Sequence, residues 1–323
     1  TNIAQYIKLG ISSQQFCFTW NEAKKPQNKP LNRYRDVNPY DHTRVVLKRC
    51  ERDYINANYV TMERANRRYI LTQGPLAFTV GHFWLMIWEQ NTKAILMLNK
   101  VIEKSEIKCH WYWPQAIGEA HKMTYTDVLY LVTRLHDLES GECRDIMQYH
   151  YTTWPDFGVP TSPVAFLQFL RRVRESGVLD PAEGPPVIHC SAGIGRSGTF
   201  CLVDCCLVIK EGIENVNIQE TLLEMRRHRM GLIQTPDQLR FCYQAVIEGT
   251  KRLDPNFVSP LQFYLRYIKT VLLLCVCLQM LIVSSVGRST ALEAFFGIGT
   301  TPGPRAAPRP VPPQPLCPCI LNL

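Results

Sequence analysis

Apolar positions along the 323-residue chain follow two spacings that alternate in order. From Thr79 to Asn91 aromatic and aliphatic residues return every three or four positions, which predicts a helix; Ala94 to Leu98 is apolar without a break, which predicts a buried strand. Ser162 and Pro163 read as a helix start, a capping serine with proline in the first turn, and the helix runs to Gly177. A short apolar strand, Val187–His189, stops at Cys190, and helical spacing resumes over Ser197–Lys210. Asn217 and Thr235 open two more helices, the second with the spacing of a capping box through Gln238. From Leu31 to about Arg252 the texture is that of one α/β domain.

Outside this block the pattern fails. Residues 1–20 carry no convincing pattern, and 1–23 are left unassigned, outside the expected domain of 24–254, whose lead-in Lys24–Lys29 is polar and proline-containing. Residues 255–288 are expected to be a linker and hydrophobic segment, because Thr270 to Gly287 is 18 residues without a charge, bracketed by Lys269 and Arg288. That is the lower edge of membrane-spanning length. Two readings stand: a membrane anchor, or a packed helix or translated non-coding sequence. Basic residues are denser on its N-terminal side, so an anchored domain would face the cytosol. Residues 289–323 are expected to be a Pro-rich disordered tail, in which Arg309 to Pro315 fits an SH3-ligand polyproline pattern of a kind that also arises by chance. The chain shows no signal peptide and begins at Thr1, as expected of a fragment or incomplete gene model.

Composition narrows the classes. A 46% hydrophobic, 20% charged chain is globular, and a net charge of +8 suits acidic partners such as phosphopeptides or an anionic membrane face. No aromatic-interleaved basic stripe supports nucleic-acid binding. The 13 cysteines are scattered, with neither paired metal-ligand spacing nor a compact disulfide framework. That points to a reducing compartment, where a free Cys190 survives.

The chemistry concentrates between Pro186 and Gly198. A strand ends at Cys190, the small or apolar residues Ser191, Ala192, Gly193, Ile194 and Gly195 follow, and Arg196 and Ser197 open a helix. A glycine-rich turn at a helix N-terminus cradles anions through its backbone N–H groups. Such a field favours the thiolate, the nucleophilic form of cysteine, and an arginine fork matches two phosphate oxygens. The order reads as a phosphate-ester hydrolase loop. Gly193-x-Gly195-x-x-Gly198 also fits a dinucleotide fingerprint, but no acidic residue ends a second strand about twenty positions on, and that fingerprint leaves Cys190 and Arg196 unexplained.

His189 to Gly198 resembles the signature of the protein tyrosine phosphatases, and Trp154 to Gly158 resembles their mobile acid loop. Asn32 to Asp36 resembles their phosphotyrosine-recognition loop, Asp53–Asn58 and Thr72–Pro75 their core motifs, and Gln234 to Gln238 their Q-loop. The stretches 33–42 and 231–241 are most similar to the non-receptor, T-cell phosphatase group. The resemblance covers about residues 24–252. It implies a single phosphatase-like domain, a central mixed twisted sheet flanked by helices. It implies that Cys190 attacks phosphorus, that Arg196 and the loop amides hold the phosphoryl oxygens, and that Asp156 acts as acid and then base. Gln234, and less directly Gln238, would place the water, and Ser197 would donate to the Cys190 sulfur. Tyr34 would line the pocket, whose depth selects phosphotyrosine, and Asp36 would hold the peptide backbone. Glu103 would brace Arg196, Lys108 would meet the acid loop, and His189 and Trp154 would support it all. No metal or other cofactor is implied. The expected substrates are tyrosine kinases and their targets, in the cytoplasm, with the cytosolic face of the endoplasmic reticulum as the membrane for an anchored form.

Bland alternatives accompany these roles: Gln238 suits a capping box, Tyr34 a core, Asp156 a turn, and Arg226, which resembles part of a secondary phosphate-binding surface, a solvated helix. Two departures stand out. The stretch between Gln115 and Trp154 is shorter than in relatives by about one strand and its turn, which would leave sheet edges unpaired. The family's N-terminal helices are not recognisable in residues 1–20. Rival readings are therefore an inactive phosphotyrosine binder and an adaptor working through the tail.

Overall fold

The computed structural model describes residues 2–114, 121–122, 128–156, 158–212, 215–253 and 319–322. Segment 270–287 and stretch 309–315 lie outside them. Among the described residues no helix is long and apolar enough to cross a membrane. Residues 1–251 with 316–323 form one compact unit and 252–315 a second; of the second only Arg252 and Leu253, the end of a helix, are described.

The elements run α1 (Asn2–Gln14), α2 (Asn21–Lys24), β1 (Arg44–Val46), β2 (Tyr54–Met62), β3 (Arg67–Thr72), α3 (Val80–Glu89) and β4 (Ala94–Met97). A hairpin of β5 (Ile102–Glu103) and β6 (Glu106–Ile107) follows, then β7 (His121–Lys122), β8 (Val128–His136) and β9 (Cys143–Tyr151). Helix α4 (Val164–Glu175), β10 (Val187–His189), α5 (Arg196–Gly212), α6 (Ile218–His228), α7 (Pro236–Leu253) and β11 (Cys319–Asn322) complete the chain. Nine of the eleven described strands form a mixed sheet in the order β1-β2-β3-β10-β4-β9-β8-β11, with β7 also on β8, and β5 and β6 pair separately. The fold is the α/β domain that the sequence pattern predicts, with the central mixed sheet that the resemblance implies.

Strand β10 lies at the centre, parallel to β3 on one side and β4 on the other. A parallel strand covered on both faces reads as continuous apolar sequence, and side chains alternate between the faces. Val187, Ile70 and Ile95 join the core under α3, while Ile188, Leu71 and Leu96 join the core beneath α4 to α7. Ile188 is fully buried, so truncating it to alanine costs about 3 kcal/mol. Both cores thus grip the strand that delivers Cys190.

Two expectations need correction. The N-terminal segment belongs to the folded unit: α1 inserts Leu9, 2% exposed, into the larger core, with Tyr6 packed against it. Its apolar residues are split between faces, since Ile3, Ile7 and Ile11 point outward at 64%, 55% and 56% exposure; that division erases the single stripe by which a helix is recognised. Among the described residues, the side of β8 away from β9 is also partnered over much of its length. β8 pairs with β9 on one side and on the other with β7 and, in parallel, with β11. Cys319–Asn322, within the stretch expected to be disordered, supplies that edge strand; the join at 123–127 lies outside the described residues.

Candidate active site

Cys190 follows the last residue of β10, at the carboxyl end of a parallel strand, where crevices open in α/β sheets. The chain then turns through Gly193, whose φ of +74° favours glycine and whose added Cβ would stand 2.2 Å from the Thr72 carbonyl oxygen. That close approach lets the Gly193 N–H donate to Cys190 Sγ at 3.3 Å. The amides of Gly198 and Thr199 bond the carbonyls of Ile194 and Gly195, winding the loop into the first turn of α5. From across the sheet the Gly74 N–H donates to the Ser191 carbonyl at 3.0 Å.

Sequence reasoning missed the residue beneath this loop. Arg229, fully buried just beyond α6, donates to the carbonyls of Gly193 at 3.0 Å and Ala192 at 3.2 Å. Its other N–H groups reach Asn58 Oδ1 at 2.8 Å and Asn56 Oδ1 at 2.9 Å. Burial pushes its pKa down to about 10, so it keeps its proton at neutral pH. The signal was present: Asn56 and Asn58 alternate on an otherwise buried strand, so both amides lie on one face and need a buried donor.

Arg196 opens α5 and meets Glu103 fork to fork, Nη1 to Oε1 at 2.6 Å and Nη2 to Oε2 at 2.9 Å, with Nη1 also bonding the Leu98 carbonyl at 3.1 Å. Glu103 is buried and comes from the β5–β6 hairpin, whose turn places Lys104 and Ser105 at φ of 53° and 61°. Such a turn suits the right-handed twist of a hairpin. The guanidinium lies 5.6 Å from the centre of the Trp154 ring, within cation–π range.

Trp154 is buried, packed edge-on against Phe166 and Phe241, and its indole N–H donates to the Gly158 carbonyl at 3.2 Å. This closes the turn carrying Asp156, whose Oδ1 lies 3.4 Å from Lys100 Nζ. The resemblance puts Lys108 against the acid loop; here the Lys108 ammonium instead pairs with Glu106, its neighbour across one residue, and Lys100 takes the partner's place at Asp156.

On the recognition side, the hydroxyls of Tyr34 and Ser191 share a hydrogen bond of 2.8 Å. Arg33 anchors that loop by donating to the carbonyls of Gly74 at 3.0 Å and Pro75 at 2.8 Å. Gln238 Oε1 accepts from the Gln234 N–H at 2.8 Å, and its own N–H donates to Thr235 Oγ1 at 3.2 Å. The Thr235 hydroxyl therefore caps α7, while the Gln238 side chain fixes Gln234. Tyr34, Asp36, Lys108, Asp156, Cys190, Ser191, Ala192, Gly195, Arg196, Gln234 and Gln238 all line one cavity of about 310 Å³.

Two residues, Ser197 and Arg226, stand differently from expectation. The Ser197 hydroxyl is buried and makes no hydrogen bond among the described residues, so the bond to Cys190 Sγ is not formed here. The Gly193 amide holds the sulfur instead. His189 is fully buried, with Nε2 2.8 Å from the Tyr112 hydroxyl, and burial pushes its pKa down to about 3; it is neutral at physiological pH, suited to support. Arg226 is not a solvated helix charge: it is 4% exposed and donates to the carbonyls of Leu232 at 2.8 Å and Ile233 at 3.1 Å.

A strand, a cysteine in a glycine turn, an arginine forked by a buried glutamate and an aspartate on the facing loop together line the candidate site. Residues 28–248 match the family model described as protein-tyrosine phosphatase, and the chain belongs to that family. It is 58% identical over 258 residues to tyrosine-protein phosphatase non-receptor type 61F of Drosophila melanogaster, covering 75% of this chain and 47% of that protein. It is 55% identical over 259 residues to tyrosine-protein phosphatase non-receptor type 2 of Homo sapiens, covering 76% and 62%. Receptor-type tyrosine-protein phosphatase S of Gallus gallus is 43% identical over 245 residues, covering 72% and 16%. The chain spans about half to three-fifths of the length of the two non-receptor relatives.

Proposed function

We propose that the chain hydrolyses phosphotyrosine in proteins through a cysteinyl-phosphate. The observation that carries this reading is the convergence of Cys190, Arg196 and Asp156 on one cavity of about 310 Å³ walled by Tyr34. In the first step the Cys190 thiolate attacks phosphorus, the P–O bond to tyrosine breaks, and Asp156 delivers its proton to the leaving oxygen. Arg196, pre-aimed by Glu103, holds two phosphoryl oxygens, more tightly as charge shifts onto them. In the second step a water placed by Gln234 attacks phosphorus, gives a proton to Asp156, and the P–S bond breaks to return the thiolate. The buried, unbonded Ser197 hydroxyl is a donor for that departing sulfur. The Tyr34 ring stacks on the substrate ring and Asp36 takes the peptide amides.

The test is phosphate release from a phosphotyrosine peptide by purified protein, with Cys190→Ser as control. A folded wild type that releases none overturns the reading in favour of a phosphotyrosine binder; equal rates on phosphoserine peptides overturn the selectivity. The pairing of β8 with β7 and β11 supports the enzyme over the binder reading. Tyrosine kinases and their targets are the proposed substrates, by analogy with relatives. Membrane attachment through 270–287 is a separate proposal, and release of the expressed protein by carbonate overturns it. SH3 docking at 309–315 is another, overturned if Pro312→Ala leaves capture by an SH3 domain unchanged.

A further inference from the structure

Three successive carbonyls ahead of α7 are each held by a side chain. Arg226 bonds Leu232 and Ile233, and the Tyr6 hydroxyl donates to the Gln234 carbonyl at 2.7 Å. The restraint has a reason. Ile233 adopts φ of +63°, a left-handed conformation that costs a β-branched residue about 1–2 kcal/mol and persists only where the surroundings impose it. Both donors lead back to α1. Arg226 Nη1 donates to Ser13 Oγ at 3.1 Å, Ser13 donates to the Leu9 carbonyl at 2.6 Å, and the Arg226 guanidinium lies 5.9 Å from the Tyr6 ring centre. Leu9 in turn is anchored in the core.

With the Gln234 N–H taken by Gln238 and its carbonyl by Tyr6, the peptide planes on both sides of its Cα are fixed. Only the side-chain torsions stay free, and that side chain already reaches the cavity floor: its Oε1 would stand 3.2 Å from a Cβ placed on Gly195. We propose that α1 is a clamp on this loop and that Tyr6 is a positioning residue for water attack on the cysteinyl-phosphate. The inference rests on the two-step reading above. In that reading Gln234 acts only once tyrosine has left, so loosening its base slows the second step and spares the first.

The test is rapid-quench measurement of labelled phosphoenzyme, using full-length chain and an aryl phosphate. Tyr6→Phe removes the hydroxyl and keeps the ring on Arg226; Ser13→Ala removes the acceptor of Arg226 Nη1. Formation of the intermediate stays within about two-fold of wild type in both. Its decay slows about five-fold in Tyr6→Phe, the equivalent of one neutral hydrogen bond of about 1 kcal/mol, and in the same direction but less in Ser13→Ala. KM for the aryl phosphate falls with kcat. Unchanged decay in a folded Tyr6→Phe, or equal slowing of both steps, overturns the clamp. A wild type that forms no phosphoenzyme overturns the two-step reading instead.

Discussion

Arg229 donates to the Gly193 carbonyl at 3.0 Å, so the backbone turn around Cys190 rests on a buried cation that no described carboxylate pairs. Four neutral oxygens share its charge: two loop carbonyls and two asparagine amides. Replacing it with methionine removes the charge and orphans all four acceptors at once. Arg229→Met is expected to lose at least about 3 kcal/mol in urea unfolding at pH 7, since breaking a buried charged network leaves its partners unsatisfied. Arg229→Lys, which keeps the charge but not the fork, should fold with a smaller loss and bind phosphate more weakly. Equal stability of wild type and Arg229→Met would remove Arg229 from the loop's support.

Asp156 and Lys100 form a partly exposed pair at 3.4 Å, and such pairs contribute about 1 kcal/mol at most. The acid loop is therefore latched lightly, and Lys100→Ala should change turnover by no more than about five-fold. Asp156→Ala is a different matter, because it removes the proposed proton donor for the leaving oxygen. Turnover of a phosphotyrosine peptide should fall about 10²–10⁴-fold, and much less for a dinitrophenyl phosphate whose leaving group departs unprotonated. Equal losses on both substrates would take the acid role from Asp156.

His189 supplies a pH dependence with a definite sign. Its folded pKa is depressed to about 3 from 6.5 by burial. Above about pH 6.5 the imidazole is neutral in both states and its contribution to stability is complete. As pH falls from 6.5 toward 3 the unfolded chain takes up a proton that the folded chain refuses, and stability declines by up to about 1.4 kcal/mol per pH unit. His82, His150 and His228 are depressed by burial too and add to the same slope. Urea unfolding at pH 7, 6 and 5 should show the decline, and His189→Gln should make it shallower by about one proton. An unaltered slope in that variant would mean His189 titrates normally.

How far the sequence led can be followed through particular residues. Cys190 and Arg196 were legible in the order of strand, glycine turn and helix, Asp156 and Gln234 only through the family resemblance of their loops, and the structure brings all four to one cavity. Strand β10 was legible as an unbroken apolar run buried on both faces, and helices α3 to α7 by their helical spacing of apolar residues. Arg229 was not, since a cation in the run Arg226–Arg229 looks solvated until the fold sets Asn56 and Asn58 against it. Helix α1 was hidden because its isoleucines face outward while Tyr6, Leu9 and Ser13 face in. The choice of Lys100 over Lys108 at Asp156 is decided by the β5–β6 hairpin, a tertiary placement no spacing reports.

Two glycines of the loop separate backbone strain from side-chain crowding. An alanine Cβ at 193 would meet the Thr72 carbonyl oxygen at 2.2 Å in a backbone held at φ +74°, and neither can yield without moving β3. Gly193→Ala is expected to cost about 2–4 kcal/mol and to abolish phosphate binding. At 195 the nearest atoms are the ends of flexible side chains, Gln238 Nε2 at 2.9 Å and Gln234 Oε1 at 3.2 Å. Gly195→Ala should therefore fold with a loss under about 1 kcal/mol while pushing both glutamines from their places. Its defect should appear in decay of the phosphoenzyme, with formation little changed. Thermal unfolding and rapid quench on the two variants check the contrast, and a Gly195→Ala protein with normal decay would show that Gln234 does not place the water.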